Sequence, residues 1–139
     1  MIVLDTNVLS EPLKIRPDEH VLAWLGSLDE VAGVTSVSVG ELLTGVRALP
    51  TGRRRQGLLE AIESTLRTFA GAVLAYDEPA ARHYARLQER RRAAGRPLAV
   101  EDGMIAAICT ARGATLATRD TTDFTGLDLD LIDPWSTSS

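Results

Sequence analysis

Short apolar, β-branched runs alternate along this chain with longer segments of helical period. The runs predict strands at Ile2–Asp5, Val31–Thr35, Ala72–Tyr76, Ala114–Thr118 and Asp130–Ile132. The longer segments predict helices over Asp18–Ser27, Val37–Leu49, Arg54–Phe69, Glu78–Ala94 and Ala99–Arg112, with Gly113 placed to end the last of them. Parallel strands need long crossover connections, and helices supply them. Alternation of this kind therefore leads to an α/β sandwich, a parallel sheet covered by helices. At 139 residues the chain fits one domain with a real core, expected over 1–139 with a frayed tail at 136–139. No apolar run approaches the roughly 20 residues of a membrane helix. The start does not read as a secretory signal.

In open α/β sheets, ligands bind beyond the carboxyl ends of the strands, so the residues that follow strands come first. Asp5 closes the run "IVLD", and Asp120 follows another in "TLATRD". Either acid alone has a simpler explanation, because aspartate is a common helix cap. Glu41 lies in "TSVSVGELLTGV", where Ser38 and Glu41 have the spacing of a capping box. Glu41 is also close to the carboxyl end of the second strand, and Gly40 and Gly45 leave room there for another backbone or a ligand. Asp102, in "VEDGMIAAIC", stands three and four residues before Ile105 and Ala106 and so shares their apolar face. A first-turn acid gains about 0.3–1 kcal/mol from the helix dipole. The dipole does not explain why this one is aligned with the core stripe beside Gly103.

Four carboxylates sharing one pocket are costly unless protons or a cation neutralise them. Oxygen-only ligands select hard cations, Mg²⁺ or Mn²⁺. The charge balance agrees. The chain has 19 acids and 15 bases, and setting the four acids aside leaves 15 against 15. Such a site suits phosphodiester hydrolysis, since a bound metal makes hydroxide at neutral pH and stabilises charge on phosphoryl oxygens.

Other chemistries fit poorly. Two histidines and one cysteine make a poor His/Cys zinc site. His20 and His83 read as ordinary surface or half-buried residues, and no nucleophile elbow is present. Cys109 is alone, so no internal disulfide forms and a cytoplasmic setting is favoured. A formal charge of −4 argues against binding nucleic acid by bulk positive charge. The bases are nonetheless arginines except for Lys14, and Arg53–Arg55 and Arg90–Arg92 form runs. Such runs read either as phosphate contacts or as a solvated face. A haloacid-dehalogenase-type phosphatase or a receiver domain also begins with an acid after strand one. Both need a late lysine that this chain lacks.

The stretches "IVLDTNVLSEPL", "TSVSVGELLTGV", "EDGMIAAICTARGATLATRDTTDF" and "IDPW" resemble PIN-domain ribonucleases. More narrowly they resemble the VapC toxins of type II toxin–antitoxin pairs, in the FitB-like branch, and "YDEPAARHYARL" extends the similarity through nearly the whole chain. The resemblance implies a PIN-like three-layer α/β/α sandwich with a central parallel sheet. It implies a Mg²⁺- or Mn²⁺-dependent endoribonuclease whose acidic quartet is Asp5, Glu41, Asp102 and Asp120. Thr6, Asn7, Ser36 and Thr118 match family positions that line or brace the site. Asp123 is either a further acid of the site or the cap of a short turn before Phe124. The family also implies an RNA substrate, a homodimer and a cognate VapB/FitA-type antitoxin. The antitoxin lays a segment along a helical groove of the toxin, and it alone binds operator DNA. Apolar residues of the helices at Asp18–Ser27 (Val21, Leu22, Trp24, Leu25) and Arg54–Phe69 (Leu58, Leu59, Ile62, Leu66) serve either the domain's own core or such a groove. Trp135 packs either within the chain or across a dimer. The rival reading is a PIN fold of weak or lost activity, kept as a partner-binding co-repressor.

Overall fold

The computed structural model describes residues 1–136. In chain order its elements are β1 (Ile2–Leu4), α1 (Thr6–Ser10), α2 (Glu19–Gly26), β2 (Ala32–Thr35), α3 (Ser36–Arg47), α4 (Arg53–Thr68), β3 (Val73–Leu74), α5 (Glu78–Ala93), α6 (Val100–Arg112), β4 (Thr115–Ala117) and β5 (Leu131–Ile132). Single tight helical turns add Glu11–Leu13 and Thr121–Phe124. The five strands and five long helices expected from periodicity all form, with ends trimmed or shifted by one or two residues. The sequence reading missed α1, because five residues are too few to show a helical period. Gly113 does end α6, in the left-handed conformation that a side chain disfavours (φ 62°). Of the expected frayed tail, Ser136 donates its amide to the Asp133 carbonyl (3.2 Å), and 137–139 lie outside the described residues.

The strands lie in the order β3-β2-β1-β4-β5, and every pair is parallel. From β1 the chain builds outward through β2 to β3, then returns to the other side of β1 for β4 and β5. The reversal between β1 and β4 is the topological switch point, where such sheets open a crevice at their carboxyl edge.

Successive strand residues point to opposite faces, and here they feed two cores. Val3 and Leu116 join Leu87, Ile105, Ile108 and Phe124 under α5 and α6. Leu4 and Ala117 join Val8, Val21, Leu42, Val46 and Ile62 under α1 to α4. The result is the three-layer α/β/α sandwich with a central parallel sheet. Trp24, Leu25, Leu58, Leu59, Leu66 and Trp135 pack against the second core, so most of the apolar faces of α2 and α4 belong to the domain itself. Leu22 is the exception and stays exposed. The Arg119 guanidinium lies over the Trp135 ring, 5.2 Å from its centroid. Among the described residues no helix is long and apolar enough to cross a membrane.

Candidate functional site

The register of the central strands sets up the site. Leu4 pairs with Ala117, and Val3 with Gly33. Asp5 and Thr118 come one step on from Leu4 and Ala117, and Thr35, two steps on from Gly33, ends β2 at the same carboxyl edge. All three are buried polar residues, and each is satisfied by its neighbours. Thr118 Oγ1 donates to Asp5 Oδ2 (2.7 Å), and the Thr6 amide donates to Asp5 Oδ1 (2.8 Å). Asp5 is thus both the end of β1 and the N-cap of α1. Burial raises its pKa, the bonds from Thr118 and Thr6 oppose the rise, and the charges of Glu41 and Asp120 add to it.

Thr6 and Asn7 reach other elements instead of stiffening their own turn. Thr6 Oγ1 lies 2.8 Å from both Glu41 Oε1 and Ser38 Oγ. A hydroxyl has one proton and the carboxylate has none to give, so Thr6 donates to Glu41 and accepts from Ser38. Asn7 Nδ2 donates to Asp120 Oδ2 (3.1 Å), and Asn7 Oδ1 accepts from the Arg119 amide (3.3 Å). The Asp120 amide donates to Thr118 Oγ1 (3.1 Å). Asp120 makes no capping bond to the turn that follows it, so its carboxylate is held by Asn7 and not by a helix end.

The capping-box reading of Glu41 is corrected. Thr35 caps α3 through the Ser38 amide (3.1 Å), which places Glu41 in the second turn, beyond the reach of a box. The buried Ser38 instead carries a hydroxyl chain from Thr35 (3.4 Å) to Thr6 and so to Glu41. Sequence reasoning missed Ser38 in this role. Its signal was the Thr35–Ser38 spacing, which is itself that of an N-cap and its third helical residue. Ser36, expected at the site, is exposed and accepts from the Tyr76 amide (3.3 Å). It ties α3 to the end of β3 and makes no bond to the acids.

Asp102 stands in the first turn of α6, half-buried, and its carboxylate makes no hydrogen bond or ion pair with any described residue. Its pKa is raised from 3.8 to about 6, first by burial and then by the charges of Asp5, Asp123, Glu41 and Asp120. Asp5, Glu41, Asp120 and Asp123 are therefore all within electrostatic reach of Asp102. They are not in contact at ligand distance: among the described residues no three His, Cys, Asp or Glu side chains form a group that could hold a metal ion. Like charges without a cation between them repel, and spreading relieves that repulsion. An all-oxygen donor set, with one half-buried carboxylate lacking any donor, fits a hard cation. Cys109 is buried in the first core, and burial, with the charge of Asp5 adding to it, pushes its thiol up to about 12.

A groove of about 900 Å³ opens beside Glu41, with Leu42, Val46 and Leu58 on its floor and Lys14, Arg53 and Arg54 on its rim. Gly45 lines it, and a Cβ at Gly40 or Gly45 would meet nothing. The run at Arg90–Arg92 behaves differently from a solvated face. Arg90 and the buried Arg91 reach the backbone of the β4–β5 connection, at the carbonyls of Gly126, Asp123 and Thr125.

Comparison with known proteins extends these observations. The PIN domain family matches residues 2–128. The chain is 43% identical over 137 residues to toxin FitB of Neisseria gonorrhoeae, covering 97% of this chain and 99% of that one. It is 42% identical over 137 residues to the VapC ribonuclease Y4jK of Sinorhizobium fredii, covering 97% and 98%. Its structure superposes on FitAB bound to an IR36 DNA fragment with a TM-score of 0.94 at 41% identity, over 100% of this chain and 99% of that one. Matching along almost its whole length, in sequence as in fold, the chain belongs to the PIN-domain family and, within it, to the VapC/FitB group of type II toxin–antitoxin proteins.

Proposed function

We propose that this chain is a Mg²⁺- or Mn²⁺-dependent endoribonuclease, the toxin of a type II toxin–antitoxin pair acting in the cytoplasm. The observation that carries the reading is the hydrogen-bonded set in which Thr6, Asn7 and Thr118 tie Asp5, Glu41 and Asp120 together at the carboxyl edge of the sheet. Asp5, Glu41, Asp102 and Asp120 would hold the cation. When bound, the cation would acidify a water and neutralise charge on the phosphoryl oxygens. The remaining work falls to the chain's own side chains. Thr118 and the Thr6 amide fix both oxygens of Asp5, Thr6 orients Glu41, and Asn7 orients Asp120. Such bracing keeps the acids in place while substrate charge enters.

The partner is a VapB/FitA-type antitoxin, by analogy with FitAB, and operator DNA is bound only through it. The groove beside Glu41 suits a peptide with apolar side chains for its floor and a basic one directed at the acids. A homodimer of toxin chains within that complex is part of the same reading.

The test is cleavage of total RNA by the purified, antitoxin-free protein with Mg²⁺, with Mn²⁺ and with chelator. Metal-dependent cleavage that Asp5→Asn and Asp102→Asn reduce at least 100-fold is expected. Cleavage indifferent to metal or to both substitutions overturns the catalytic assignment. The second reading is a weakly active or inactive co-repressor subunit. It requires a protein that binds its antitoxin yet cleaves nothing in this assay.

A further inference from the structure

Arg91 is an unusual residue to find in this interior. It is only 6% exposed, and among the described residues no carboxylate pairs with it. A buried guanidinium without a counter-charge is costly, and an apolar side chain of similar volume would pack in its place. Standing in the last turn of α5, it gains something from the helix dipole. Its donors, however, point away from the helix. Nε donates to the Arg96 carbonyl (2.7 Å), while Nη1 donates to the carbonyls of Asp123 (2.9 Å) and Thr125 (3.3 Å). No apolar replacement holds three carbonyls from two chain segments.

The segment so held is the turn at Thr121–Phe124, which begins at Asp120 and contains Asp123. Arg96 grips the same segment from outside, through the Thr122 carbonyl and the Thr125 hydroxyl (both 3.2 Å). The Asp123 amide closes the turn on the Asp120 carbonyl (3.0 Å), so the two acids move as one unit. Among the described residues, the one side-chain bond to a carboxylate of this turn is that from Asn7 to Asp120.

We propose that Arg91 is a positioning residue for the acidic site: by clamping the backbone of the 121–125 turn, it sets where Asp120 and Asp123 stand against Asp102. The proposal rests on the reading of these acids as metal-binding. Its consequence is that Arg91, which touches no carboxylate, governs cation affinity.

Mn²⁺ binding is measured by calorimetry on the wild type, Arg91→Lys, Arg91→Met, Asp123→Asn and the Arg91→Lys/Asp123→Asn double variant, alongside hydrogen exchange of the 121–125 amides. Lysine keeps the charge and the stem but cannot reproduce the fork, so it is the variant expected to stay folded. In Arg91→Lys the 121–125 amides should exchange faster, and the Mn²⁺ Kd should weaken at least tenfold. In the Asp123→Asn background the same change should have a smaller effect, the remainder acting through Asp120, and a general loss of stability would not produce that difference. Arg91→Met, where folded, should match or exceed the effect of Arg91→Lys. An Arg91→Lys protein with wild-type Mn²⁺ affinity overturns the proposal and leaves the metal reading standing. A wild type that binds no Mn²⁺ overturns both.

Discussion

Asp102 is held against its own charge. Its pKa of about 6 in the folded chain, against an ordinary 3.8, means that the folded state binds this proton more tightly than the unfolded state. Stability of the metal-free protein should therefore fall as pH rises from about 4 to about 6 and then level off. Asp5 shifts in the same direction. Asp102→Asn should flatten that fall and raise the melting temperature at pH 7 in chelator. An unchanged slope would show that the carboxylate is not strained. Asp5 and Asp120 were legible in the sequence because each follows a strand, and Asp102 because it shares the phase of the core stripe. Ser38 and Arg91 were not. The bond from Ser38 runs to Thr6, 32 residues away, and Arg91 clamps carbonyls 32 and 34 residues on. No local pattern records such distances.

The first turn of α6 is the element on which the site depends most, and Gly103 decides how closely it lies to α5. A Cβ at that position would stand 2.6 Å from Tyr84 Cε2. The Tyr84 ring is itself packed edge-on against Tyr76, with centroids 6.3 Å apart. Helix propensity alone favours alanine by about 1 kcal/mol. The clash should reverse this, with Gly103→Ala destabilising by about 1–3 kcal/mol in urea titration. Moving α6 off α5 also moves Asp102, so RNA cleavage should fall with stability. In a Tyr84→Leu background the penalty should largely disappear, and an equal penalty there would place the strain elsewhere. Element identities were readable because burial on a sandwich imposes period 2 on strands and 3.6 on long helices. Helix α1 has only Val8 and Leu9 buried in five residues, which fixes no period. The cap of α3 was misread because Thr35 and Ser38 both have capping chemistry, and only the course of β2 shows which one caps.

The proposed cation site also bears on the stability of the whole molecule. Saturating Mn²⁺ at pH 7 should raise the melting temperature by several degrees. A ligand present at 100 times its Kd contributes about 2.7 kcal/mol. Asp5→Asn should abolish most of that gain, and a melting temperature indifferent to Mn²⁺ would count against a shared site.

The sequence by itself determined the layers. Its alternation of periods demands a parallel sheet between helices. It also determined which acids leave the sheet at its carboxyl edge, since that depends only on strand ends. Tertiary structure decided how those acids are held. The order β3-β2-β1-β4-β5 brings Asp5 beside Thr118 across 113 residues, and the α5 clamp fixes the turn of Asp120 and Asp123. Hydrophobic period is a local property of a chain. Hydrogen bonds between distant segments exist only once the strands have chosen their neighbours.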